Sequence, residues 1–262
     1  MDGTNIAEAK LPGALTAVVR RDKLVYLETR GLRDIEAAKP VEEDTIFRFY
    51  SMTKPITTVA AMMLYEEGRF QLDDPVAKYI PALGNLKVFL SGDENRYETE
   101  ATDRDMTIRD LMTHTSGLTY GWLEVGPVDA LYRLENVNFA ESGLPLSELV
   151  GKLGDLPLLC QPGSQWNYSV STDVLGYLVE VLSDQTLEAF FADRILGPLG
   201  MVDTAFDVAA AKIGRFAANY TPAIDGGLKL IDAADGSRFS QPAITFSGGG
   251  GLVSTAADYI RF

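Results

Sequence analysis

One junction limits what this chain can fold into. Residues 46–50 form a short strand-like run that leads directly into Ser51-Met52-Thr53-Lys54-Pro55, where the hydrophobic period turns helical. Ile56, Val59, Ala60, Met63 and Leu64 then recur as the apolar stripe of a helix, with Gly68 a natural stop. Pro55 is tolerated because it falls in the first turn, where its missing N–H has no partner inside the helix. A strand delivers the chain to Ser51, and a helix carries it away.

The flanking sequence extends this mixture. Residues 14–20 and 24–28 are β-rich, with Arg21-Asp22-Lys23 between them as a tight turn. Helical patterns follow near 107–113, 128–135, 146–153, 172–183 and 186–194, broken by Gly, Pro and polar turns. Residues 91–105 are polar and charged and predict a surface loop. Strand character is expected again only after about residue 204, most clearly around 250–253. The fold class expected is α/β: a discontinuous part formed by 1–75 and 204–262, embracing a mostly helical subdomain, 76–203, that carries Tyr168.

Composition removes several function classes. At 262 residues with 46% hydrophobic content, the chain can bury a substantial core. A formal charge of −14 argues against nucleic acid, whose binding needs a concentrated positive field. No stretch approaches the length of apolar residues that spans a bilayer, and no basic segment followed by an apolar one opens the chain. The reading is therefore no membrane, with a cytoplasmic location as the default. Cys160 is the single cysteine, so it forms no intramolecular disulfide, and it reads as a structural thiol.

His114 is the only histidine, so a Ser-His-Asp triad must use it or not exist, and a His-based metal site is disfavoured. No Gly-x-Ser-x-Gly nucleophile elbow occurs. The glycines at 248–251 lack the Gly-Lys-Ser/Thr ending of a phosphate loop and suit close backbone approach at a substrate cleft, with Gly249 and Gly250 as candidate substrate-binding positions. No cofactor is implied. Tyr120, Trp122 and Tyr132 either wall an apolar pocket for an ester group or belong to ordinary helical packing.

Ser51 and Lys54 form a Ser-x-x-Lys motif, whose spacing puts hydroxyl and amine on one face of a helix. A serine hydroxyl needs a base to become a nucleophile, and a lysine can serve as that base or bias a neighbour. Further motifs keep this one company. Residues 49–65, Leu72-Asp73-Asp74-Pro75, Leu111-Met112-Thr113-His114-Thr115-Ser116-Gly117-Leu118, Pro162-Gly163-Ser164-Gln165-Trp166-Asn167-Tyr168-Ser169 and Pro198-Leu199-Gly200-Met201 follow in order. Together they resemble the group that holds the class C β-lactamases and the family VIII carboxylesterases.

The resemblance implies a β-lactamase/penicillin-binding-protein-like fold, an antiparallel sheet flanked by helices plus a mostly helical subdomain. It implies Ser51 as nucleophile, Lys54 and Tyr168 as its activating partners, and His114 as a loop residue. The lactamases of the group carry asparagine two residues after the tyrosine; this chain has Val170, which offers no side-chain donor and favours ester over lactam substrates. The implied activity is hydrolysis of small, short-chain carboxylic esters through an acyl-enzyme. A β-lactamase or D-amino-acid peptidase, or a catalytically silent binding module, are the alternatives. The group's third motif, on a strand edging the cleft, does not follow Tyr168, and the chain stops at Phe262 in what begins as a capped helix. The expectation is a fragment lacking C-terminal strands, which self-associates or needs the remainder for activity.

Overall fold

The computed structural model describes residues 6, 10–224 and 226–262. Strands β1 (Gly13–Arg20) and β2 (Lys23–Asp34) form a hairpin, and β3 (Lys39–Pro40) extends it into an antiparallel sheet in the order β1-β2-β3. Arg20 faces Lys23 across a two-residue turn in which Arg21 and Asp22 both have positive φ, 51° and 59°. That is the primed turn whose twist matches its strands. The expected strand at 46–50 shortens to β4 (Phe47–Arg48), because the backbone leaves the extended region at Tyr50, where φ is 43°. A 3-10 turn at Tyr50–Met52 then opens helix α1 (Thr53–Glu66), and Gly68 ends it at φ 72°.

Strands β5 (Lys87–Gly92) and β6 (Tyr97–Ala101) form a second hairpin. This corrects the surface loop expected at 91–105. The Asp93 carboxylate accepts from the backbone N–H groups of Asn95 and Arg96 and closes the turn. The polar strand residues form a ladder that hydropathy does not reveal. Helices α2 (Ile108–Thr113), α3 (Pro127–Leu134), α4 (Leu146–Leu153), α5 (Ser171–Ser183) and α6 (Leu187–Phe191) follow close to their expected positions. The C-terminal region supplies β7 (Asn219–Pro222), β8 (Leu228–Asp232), β9 (Val253–Ser254) and α7 (Ala256–Arg261).

Two compact units result: Met1–Phe49, Leu196–Ala243 and Leu252–Phe262 form one, and Tyr50–Ile195 with Ile244–Gly251 the other. The division falls at Phe49 and Ile195 instead of near 75 and 204. The reason is that α1 packs on α5, so the helix after Ser51 shares its core with the helical segments. In the first unit, β4 pairs with β9, and Ile46, Phe216, Phe239 and Val253 form a buried cluster. The Arg48 guanidinium stacks 4.1 Å above the Phe216 ring and pairs with Asp232 at 2.6 Å, which compensates its burial. In the second unit, α1 buries Ile56, Ala60, Ala61 and Leu64, while α5 buries Val174, Leu175, Leu178 and Val179. Among the described residues no helix is long and apolar enough to cross a membrane.

Candidate active site

The site lies within the second unit and is assembled from four of its segments. The 3-10 turn presents Ser51, and the first turn of α1 presents Lys54. Lys54 Nζ donates to Ser51 Oγ at 3.2 Å, to the Tyr120 hydroxyl at 3.2 Å and to the Gly249 carbonyl at 2.6 Å. A lysine ammonium has three donors, and each has an acceptor here. Its nitrogen also stands 4.6 Å from the centre of the Tyr168 ring. Ser51 Oγ and the Tyr168 hydroxyl are 2.5 Å apart, with either able to donate. The three residues expected to form the catalytic set therefore meet.

Tyr168 reaches this position because two loops are tied together. Helix α2 starts in a capping box between Thr107 and Asp110 and ends at His114, whose φ of 56° turns the chain out of the helix. The His114 carbonyl accepts from Asn167 N at 2.8 Å, and Asn167 Nδ2 donates to the Leu118 carbonyl at 2.8 Å. Buried hydroxyls of Ser116, Ser171 and Ser169 form a chain with steps of 2.7 Å. Gly117 sits at φ 85° where a Cβ would come within 2.3 Å of the Cys160 carbonyl. Neighbours on both sides of Tyr168 are thus fixed by loop 114–119.

His114 belongs to this scaffold. Its Nδ1 lies 3.4 Å from Ser169 Oγ, and its ring centre is 4.9 Å from that of Tyr168. Burial, assisted by the Lys54 charge, holds its pKa down at about 4, so the imidazole is neutral near pH 7. Cys160 is a half-buried free thiol outside the cavity lining.

A cavity of about 570 Å³ opens beside Ser51. Tyr50, Tyr120, Trp122, Tyr132, Phe139 and Tyr168 supply its aromatic wall, and Glu124, Arg133, Asn136 and Asn138 add polar groups. Trp122 stacks on Tyr120 with ring centres 5.2 Å apart and is 64% exposed at the rim, while Tyr120 lies deeper against Lys54. Tyr120 has a second role as an acceptor for Lys54, and burial pushes its phenol pKa up.

Two expected substrate-binding positions, Val170 and Gly249, change their meaning. Val170 is 1% exposed and outside the cavity lining, because the chain turns there into α5 and the apolar side chain packs inward. Gly249 uses its carbonyl on Lys54 and its N–H on Asp173, so it holds the lysine and has no N–H for a substrate. Gly249 and Gly250 both line the cavity. Sequence reasoning missed Asp173 and Ser247, both buried and both lining the cavity. The available signals were an acid in the first turn of the helix after Tyr168 and a serine opening the glycine run.

Known proteins resemble this chain along nearly its whole length. Protein Rv1367c of Mycobacterium tuberculosis is 39% identical over 252 residues, which cover 96% of this chain and 61% of that protein. Esterase EstB of Burkholderia gladioli is 33% identical over 276 residues, covering 98% of this chain and 66% of the esterase. The chain thus spans about two thirds or less of the length of these relatives. Among solved structures, EstCE1, described as a hydrolase with promiscuous acyltransferase activity, superposes with a TM-score of 0.82 at 26% identity, covering 98% of this chain and 68% of EstCE1. A class C beta lactamase at 21% identity, with a TM-score of 0.71 and coverage of 98% and 60%, shares the fold. The Beta-lactamase family model matches residues 4–262, spanning the segments that meet around Ser51, and the chain belongs to that family.

Proposed function

We propose that this chain carries the catalytic centre of a serine hydrolase that cleaves small carboxylic esters through an acyl-enzyme on Ser51. The observation that carries the reading is the 2.5 Å contact between Ser51 Oγ and the Tyr168 hydroxyl, with Lys54 bonded to the same serine oxygen. Ser51 Oγ attacks the ester carbonyl carbon as the Tyr168 oxygen, acting as general base beside Lys54, takes its proton. Collapse of the tetrahedral adduct breaks the bond to the alcohol, which leaves with that proton. Water then attacks the acyl-enzyme by the same route, releasing the acid and restoring Ser51. The backbone N–H of Ser51, in the turn that opens α1, is a candidate donor to the oxyanion.

Esters are favoured over lactams because the aromatic side of the cavity suits an apolar ester group. The esterase name of the Burkholderia gladioli relative and the lovastatin esterase of Penicillium rubens, 30% identical over 262 residues, support the same class. The test is fluorophosphonate labelling of Ser51, followed by turnover of a chromogenic short-chain ester beside a cephalosporin. Labelling and ester turnover, both lost in Ser51→Ala, are expected. A folded parent chain that neither labels nor turns over ester overturns the reading, and a preference for the cephalosporin replaces it with a lactamase.

A further inference from the structure

Below Lys54 lies a second layer of bonds that starts at a carboxylate. Asp173 is 1% exposed, at the third position of α5, where the helix N-terminus favours negative charge. Its Oδ1 accepts from Ser247 Oγ at 2.5 Å and from Gly249 N at 2.9 Å. Ser247 Oγ in turn accepts from Gly250 N at 3.1 Å. The turn is gripped from α1 as well, since Thr57 Oγ1 donates to the Gly248 carbonyl at 2.7 Å.

The geometry of one peptide group gives this layer a function. The Gly249 carbonyl and the Gly250 N–H belong to the same planar trans peptide, so they point in opposite directions. With the N–H held on Ser247, the carbonyl is turned toward Lys54 Nζ, 2.6 Å away. Lys54 is thereby anchored 3.2 Å from Ser51 Oγ. The close fit also excludes a side chain, because a Cβ at Gly249 would lie 2.3 Å from Asp173 Oδ2.

We propose that Asp173 and Ser247 are positioning residues for Lys54, fixing the Gly249–Gly250 peptide so that its carbonyl seats the amine beside Ser51. The proposal rests on the ester-hydrolase reading for its kinetic consequence, but its geometric content stands apart. A carboxylate that merely stabilised the fold would not control where Lys54 sits.

The experiment compares the parent chain with Ser247→Ala, Asp173→Ala and Asp173→Asn. Asparagine keeps an acceptor oxygen for both donors, so Asp173→Asn should hold kcat within about fivefold of the parent, whereas misplacing a catalytic group by about 1 Å costs on the order of a hundredfold. Ser247→Ala and Asp173→Ala should therefore lose about 30- to 100-fold in kcat with KM nearly unchanged. If Asp173→Ala fails to fold, Ser247→Ala carries the comparison. A folded Ser247→Ala chain with parental kcat, or a loss confined to KM, overturns the proposal.

A crystal structure of Ser247→Ala provides a readout independent of turnover. The Gly249 carbonyl should move out of hydrogen-bond range of Lys54 Nζ, beyond about 3.5 Å. A carbonyl still seated on Lys54 overturns the proposal whatever the kinetics. A displaced carbonyl in a protein whose parent lacks ester turnover sinks only the esterase reading.

Discussion

Tyr168 and Ser51 meet oxygen to oxygen at 2.5 Å although they lie 117 positions apart in the chain, and Lys54 bonds to the same serine oxygen at 3.2 Å. Proton transfer within such a group is worth roughly two to four orders of magnitude in rate. Tyr168→Phe and Lys54→Ala should each reduce ester turnover by about that factor with little change in thermal stability. The double variant should cost far less than the product of the two single losses, since residues acting as one unit are not additive. Fully multiplicative losses in steady-state kinetics would argue against a coupled pair.

His114 should act on stability and leave the chemistry largely intact. Its pKa is about 4 in the fold against an ordinary 6.5, so between these values the unfolded chain binds the proton more readily. The contribution is fully present above about pH 6.5 and is lost as the pH falls toward 4. Burial raises the Asp173 pKa, which gives a dependence of the opposite sign, so the parent must be compared with a variant that changes only the histidine. His114→Asn suits the left-handed backbone, and it should flatten the slope of urea midpoint against pH between pH 4 and 6.5. Identical slopes would contradict this assignment, and abolished turnover in the folded variant would revive a histidine base.

Val170→Asn tests whether this position faces substrate or interior. Burying an amide without partners costs about 1–3 kcal/mol, so the denaturation midpoint should drop while the ratio of lactam to ester turnover stays unchanged. A raised ratio in a stable variant would return Val170 to the cleft.

Two adjacent glycines should respond differently. A Cβ at Gly249 meets the Asp173 carboxylate at 2.3 Å, whereas one at Gly250 meets Tyr50 backbone at an ordinary 3.6 Å. Gly249→Ala should lose about 1–3 kcal/mol by overpacking, and Gly250→Ala should keep the parental midpoint. Equal midpoints for the two variants would show that the turn relaxes freely.

The sequence revealed what local pattern encodes. The apolar stripe of α1, the start of α5 and the Ser51–Lys54 spacing follow from local pattern, whereas Tyr168 was reached only through the resemblance of its motif to a known family. The β5–β6 hairpin did not, because its outer residues, Tyr97 to Glu100 among them, are exposed and polar and carry no alternating apolar signal. Asp173 was equally hidden. Its meaning depends on Ser247, 74 residues away, and on a peptide orientation that residue types do not specify. The division into units escaped for a similar reason, since the packing of α1 on α5 is a long-range event.

The complete use of the Lys54 donors separates two problems for anyone who would redesign this protein. With Ser51, Tyr120 and Gly249 occupying its three N–H groups, the amine has none to offer an incoming molecule. Discrimination between substrates then falls to the cavity wall, where Arg133 is tied to the Gly121 carbonyl and takes no part in the Ser51–Lys54–Tyr168 bonds. Libraries confined to such wall positions should change which molecules are accepted while leaving the reacting groups in register.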